Sequence, residues 1–153
     1  MSTTERLAEL GLTLPAVAAP VASYVPAVRD GDLVFTSGQL PFVDGQLAVT
    51  GKVGGSVDAD TAQQLAATCA LNAIAAAASV IGSVDDIVQV VKVVGFVASD
   101  PSFTGQPGVI NGASDLLREV FGDAGQHARS AVGVAVLPLD SPVEVEIVVR
   151  VRS

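Results

Sequence analysis

Apolar and polar positions change period along the chain in a sequence that outlines a layered domain. Thr4 to Leu10 predicts a short N-terminal helix, and Pro15, Pro20 and the small residues between them an irregular extended lead-in. Tyr24 to Val28 and Leu33 to Ser37 are dense in β-formers and flank Asp30-Gly31-Asp32, a hairpin-type turn. Gly38 to Pro41 leaves the sheet. Asp44-Gly45 predicts a second turn before a weak strand around Leu47 to Val49.

The period then becomes helical. Ala62, Leu65, Ala66, Cys69, Ala73, Ala76, Ala77 and Val80 recur three and four residues apart. Ser56 or Asp58 caps this helix, which runs to about Ile81, with Gly82 as its stop. Ile87 to Ala98 is a nearly unbroken apolar strand containing Lys92, the pattern of a strand covered on both faces. Asp100 to Gly108 predicts a loop. A second amphipathic helix follows from Val109 to Val120, ended by Gly122, with Asn111 at its start as a candidate N-cap.

The last quarter predicts two strands, Ser130 to Leu137 and Val143 to Val151. Pro138, Asp140, Ser141 and Pro142 between them suit the turn of a terminal hairpin. The order of elements places the helices on one face of a mixed sheet, an α+β fold. No repeat, low-complexity tail or domain break interrupts it, so residues 1–153 are expected to form one domain with 1–21 as an N-terminal extension.

Composition sharpens the partners. Half the residues are hydrophobic and 16% are charged, against roughly 25% charged in an average domain. So few charges on a small domain predict that other copies of the chain cover part of its surface. The net charge of −8, with eight scattered basic residues, disfavours nucleic-acid binding. The uncharged stretch from Thr61 to Val84 is rich in Ala and contains Gln63, Gln64 and Asn72, which points to a core helix and not a membrane span. The N-terminus lacks a secretory pattern, so a cytoplasmic location is expected. A single cysteine, Cys69, suits a small buried hydrophobe, and one histidine leaves no zinc ligand set.

Charges inside the apolar last quarter are the candidate chemistry. Arg129 opens one strand and suits two-pronged recognition of a carboxylate. The alternative is a surface arginine paired with Glu119 or Asp123. Glu144 and Glu146 lie two apart on a strand and therefore share a face. A partly buried Glu144 suits a general base or a water-orienting group; a solvated edge charge is the alternative. Arg129 and a carboxylate converging on one small site would bind a small anion. His127 lacks an accompanying triad or metal motif, which disfavours a catalytic role for it.

Taken in order, these residues resemble the RidA/YjgF family. Arg129-Ser130, Leu137-Pro138 and Val143-Glu144-Val145-Glu146 resemble its A-R-[ST] … L-P … [IV]-E-[IV]-E signature. Thr36-Ser37-Gly38-Gln39-Leu40-Pro41 resembles T-S-G-Q-[IL]-P. Tyr24 resembles the family's strand tyrosine, and Asn111 an asparagine that opens the second helix. The resemblance runs from about Ala22 to the C-terminus.

The resemblance implies a chorismate-mutase-like α+β fold and a homotrimer whose sheets form a central barrel, with sites in the clefts between subunits. It implies hydrolysis of enamine and imine intermediates such as 2-aminoacrylate to 2-oxo acids and ammonia, without metal or organic cofactor. Arg129 would bind the substrate carboxylate and Glu144 would position or activate the attacking water. Tyr24, Ser37 and Asn111 would line the cleft. Ala131 stands where many members carry Cys, so only a backbone contact is expected there. Two other functions compete: a non-catalytic binder of small carboxylates, and an endoribonuclease, which the acidic charge disfavours.

Overall fold

The computed structural model describes residues 1–17 and 22–153. Pro20 of the expected lead-in lies outside the described residues. The elements are α1 (Thr3–Glu9), β1 (Ala27–Asp30), β2 (Leu33–Thr36), α2 (Ala59–Ala78), β3 (Ile87–Ala98), α3 (Gln106–Phe121), β4 (Ala128–Val134) and β5 (Val143–Val151). They form a mixed sheet in the order β1-β2-β5-β3-β4. The α+β class with helices on one sheet face is therefore observed.

Local chemistry sets the element ends. Ser2 and Glu5 form a capping box at α1, with Glu5 N donating to Ser2 Oγ and Ser2 N to Glu5 Oε2. Asp58 caps α2, its Oδ1 accepting from Thr61 N at 2.7 Å. That helix ends at Ala78 with Ser79 as its cap, before Gly82 is reached. The Ser79 hydroxyl donates back to Ala76 O and competes with the backbone pattern there. The α3 helix starts at Gln106, earlier than the sequence predicts, because Pro107 is tolerated in a first turn that needs no amide donor. Asn111 thus lies inside α3 and is not its N-cap. The stop at Gly122 is observed, with φ 61°. β1 starts at Ala27, so Tyr24 precedes the strand. No strand forms at Leu47 to Val49; Asp44 and Gly45, both at positive φ, turn the chain between the bridged residues Val43 and Gln46.

Packing between the layers depends on small residues. Ala62, Ala66, Ala70, Ala73 and Ala77 of α2 are fully buried and let the helix lie close to the sheet. A β-carbon at Gly95 of β3 would fall 2.5 Å from Ile110 Cδ1, so that glycine provides the seat for Ile110. Burying such a side chain contributes about 1.5–3 kcal/mol. Val90, Val93 and Val97 of β3 and Val143, Val145, Ile147 and Val149 of β5 complete the core under the helices.

Two further expectations, on strand pairing and strand burial, change. The last two strands do not form a hairpin: β4 runs parallel to β3 on one side, and β5 runs antiparallel to β3 on the other. The α3 crossover between β3 and β4 permits the parallel pairing. β4 and β5 still run in opposite directions, as in a hairpin, but β3 lies between them. The second correction concerns β3. Its helix-facing residues are buried, while Val91, Val94 and Phe96 on the other face stay partly or largely exposed in the single chain.

Candidate functional site

The predicted site residues separate into two groups on opposite faces of the sheet. Register decides this. Arg129 pairs with Val93 and Ala131 with Gly95, both buried under the helices, so Arg129 and Ala131 belong to the helix side of edge strand β4. Glu144 pairs with Phe96 and Glu146 with Val94, on the open face. β5 and β4 are separated by β3, a gap of about 10 Å at ordinary strand spacing. Arg129 and Glu144 of one chain therefore do not converge; a site using both needs a second copy of the chain.

The first group surrounds Arg129. Its Nη1 donates to Asn111 Oδ1 at 2.8 Å and to Ser114 Oγ at 3.2 Å, and its Nη2 to Pro107 O at 3.4 Å. It makes no ion pair with Glu119 or Asp123. Asn111 and Ser114 are three apart on α3 and so face the same way. Ser114 Oγ lies 2.9 Å from His127 Nε2, and His127 Nδ1 lies 2.6 Å from Gly125 O. Asn111, Ser114, His127 and Arg129, with Asp115, Arg118 and Gln126, line an open depression of about 360 Å³. Reading residue types missed Ser114 and left His127 without a role. The i, i+3 spacing of Asn111 and Ser114 was the available signal.

The second group surrounds Glu144. Ser37 Oγ donates to Val25 O at 2.6 Å, tying the residue after Tyr24 to the end of β2. The chain then leaves the sheet at Gly38, while Gln39 N donates to Val145 O at 2.8 Å and holds this segment beside Glu144. The Glu144 carboxyl rests on Gly38: a β-carbon there would fall 2.8 Å from Glu144 Cδ. Glu144 is half-buried, and among the described residues no donor reaches its oxygens. Burial, and secondarily the charge of Glu146, pushes its pKa above the ordinary value of 4.5. Tyr24, close by in sequence, is 48% exposed.

Cys69 is buried and its thiol is pushed well up by desolvation, so it takes no part as a thiolate. Among the described residues no group of three or more His, Cys, Asp or Glu could hold a metal ion. No described helix is long and apolar enough to cross a membrane. A larger depression of about 510 Å³ lies between α1 and the end of α3 and contains none of the predicted site residues.

Residues 4–151 match the family model described as "YjgF/chorismate mutase-like, putative endoribonuclease". The chain belongs to this YjgF family. It is 45% identical over 148 residues to Protein TCP17 of Trypanosoma cruzi, covering 96% of this chain and 92% of that protein. A crystal structure of Atu1372 from Agrobacterium tumefaciens, of unknown function, is 46% identical with a TM-score of 0.89, covering 98% of this chain and 92% of that one. A Shewanella oneidensis structure with the same endoribonuclease description is 33% identical with a TM-score of 0.95, covering 99% and 100%. Escherichia coli TdcF with bound serine is similar at 29% identity and a TM-score of 0.65, covering 92% and 96%. The two groups of side chains stand on opposite faces of one sheet.

Proposed function

We propose that this YjgF protein hydrolyses small enamine and imine acids of the 2-aminoacrylate type to 2-oxo acids and ammonia, at sites completed between copies of a homotrimer. Arg129 of one copy holds the substrate carboxylate through paired N–H donors. Glu144 of the next takes a proton from water as its oxygen attacks the imine carbon. That proton passes to nitrogen to give a carbinolamine; the hydroxyl proton then follows to nitrogen as the C–N bond breaks, leaving the 2-oxo acid and ammonia. Asn111 orients Arg129, while Tyr24, Ser37 and the Ala131 backbone wall the cleft. The reaction needs no covalent intermediate, because imine hydrolysis is intrinsically easy and positioning supplies most of the acceleration.

The observation that carries this reading is the Glu144 carboxyl. It is half-buried on a largely apolar sheet face, lacks a donor among the described residues, and has a raised pKa. A carboxyl that is half-buried, open to water at its oxygens and held by no donor among the described residues can exchange its proton with a bound water. Two further features support the reading. The open face exposes Val28 (53%), Phe35 (43%) and Val132 (44%), an apolar surface suited to other copies of the chain. The similar protein TdcF holds serine, which offers a carboxylate and an α-nitrogen like those of the substrate.

The competing reading is a non-catalytic binder of small carboxylates, which shares Arg129 but gives Glu144 no work. The endoribonuclease reading conflicts with a net charge of −8. The deciding experiment supplies 2-aminoacrylate from a dehydratase and follows pyruvate release. Faster release with the parent and none above background with R129A supports hydrolysis. Pyruvate binding without acceleration supports the binder.

A further inference from the structure

The contacts around His127 specify where its proton sits. Nδ1 faces the Gly125 carbonyl oxygen, an acceptor only, so a neutral ring carries its proton on Nδ1. Nε2 is then a bare acceptor, and the Ser114 hydroxyl donates to it across 2.9 Å. With its hydrogen committed to His127, Ser114 Oγ presents a lone pair to Arg129 Nη1. The order Gly125 carbonyl, His127, Ser114, Arg129 thus has one consistent direction of donation.

We infer that His127 and Ser114 are positioning residues for Arg129, a relay that sets the orientation of the carboxylate-binding guanidinium. This rests on the proposed role of Arg129. The relay matters because Arg129 sits on an edge strand, where a long side chain has many rotamers to lose on binding. Asn111 restrains Nη1 from one side and Ser114 from the other. Backbone elements hold both ends of the relay: Ser114 is buried in α3, and the His127 ring is tied to the turn after that helix. A bound carboxylate then meets a guanidinium already turned toward it, so less entropy is lost.

The same geometry argues against Ser114 as a nucleophile. A serine beside an oriented histidine resembles an activated pair. Here, however, Ser114 is buried, and the Arg129 cation on one of its two lone pairs draws electron density from Oγ.

The test compares H127F, H127Q, S114A and the S114A/H127F double variant. H127F keeps a ring but removes the acceptor; H127Q keeps an acceptor within reach. Calorimetry with pyruvate should show H127F and S114A each weakening binding about fivefold, the cost of roughly one hydrogen bond. H127Q should recover most of the loss. The double variant should weaken binding no more than either single one, because the two residues act in series. Thermal melts should not track this ranking. Additive losses, or H127Q behaving like H127F, would overturn the relay.

A second measurement is independent of any ligand. The chain has one histidine, so its nitrogen NMR signals are unambiguous. They should report the proton on Nδ1, with the Nε2 shift moving in S114A. A proton on Nε2, or phosphonate labelling of Ser114, would overturn the inference. A parent that binds no 2-oxo acid would instead defeat the proposed role of Arg129, and the NMR result would still decide whether the relay exists.

Discussion

Gly38 and Glu144 are in direct contact across the segment that leaves β2: the carboxyl occupies the space a β-carbon at Gly38 would need. The obstacle in a G38A variant is the end of a flexible side chain, so the fold can yield by moving Glu144. We expect G38A to keep the parent's melting temperature within a few degrees but to slow 2-aminoacrylate hydrolysis by about 10- to 100-fold, the usual cost of a misplaced catalytic group. Unchanged hydrolysis would show that the position of the carboxyl is irrelevant.

Glu144→Gln should slow hydrolysis by roughly 100-fold or more, within the range for general-base catalysis. Pyruvate binding should persist, since Arg129 is untouched. Glu146→Gln should matter less. Glu146 shares the face but pairs with Val94, one row removed from the Gly38 contact. The acid limb of the parental kcat/KM profile should lie above pH 4.5, following the raised pKa of Glu144. Parental rates in both variants would end the general-base role.

Stability gives an independent reading of the same group. The folded-state pKa of Glu144 is raised, so the folded chain holds this proton more tightly than the unfolded one. Its contribution to stability is full below the unfolded value and is lost as pH rises through the folded one. Glu144→Gln should therefore melt slightly higher than the parent at pH 7. The gap should close below about pH 4, near the ordinary Glu value. A gap that grows on acidification would contradict the raised pKa.

Phe35→Asp tests the open face. Phe35 is 43% exposed in the single chain, so a carboxylate there can remain solvated and the protomer should fold. Copies packed against this face would have to bury the charge, which disfavours assembly. Sedimentation should show a trimeric parent and a monomeric variant, and hydrolysis should fall with the trimer. A monomeric parent at micromolar concentration would remove the shared site.

Gly112→Ala probes how the helices support the site. A β-carbon at Gly112 would run into the backbone carbonyl of Gln63 on α2, which has no rotamer to escape with. Separating the helices should cost about 1–3 kcal/mol, measured by urea unfolding. Asn111 is adjacent, so pyruvate affinity should drop as its contact to Arg129 lengthens. A variant as stable as the parent would mean the two helices are not in close contact at this point.

Much of this architecture was legible in the chain. Period-two and period-3.6 patterns place β3, α2 and α3 because burying one face of each element dominates local preference. Arg129 and Glu144 stood out because charges are scarce within apolar strands. Tyr24 and Asn111 were misplaced locally, since Tyr24 precedes β1 and Asn111 lies inside α3. Element ends turn on a single proline or hydroxyl, which periodicity does not register.

The sequence by itself determined the layers, the sharing of one face by Glu144 and Glu146, and the family. Only the tertiary structure decided that β3 separates β4 from β5 and that Arg129 and Glu144 stand on opposite faces. Turn chemistry is local: the stretch from Leu137 to Pro142 reverses the chain equally well whether the strands touch or straddle a third. Which occurs depends on where the α3 crossover delivers β4, a long-range choice set by packing. The link from His127 through Ser114 to Arg129 likewise joins residues that meet only once α3 lies against the edge of the sheet.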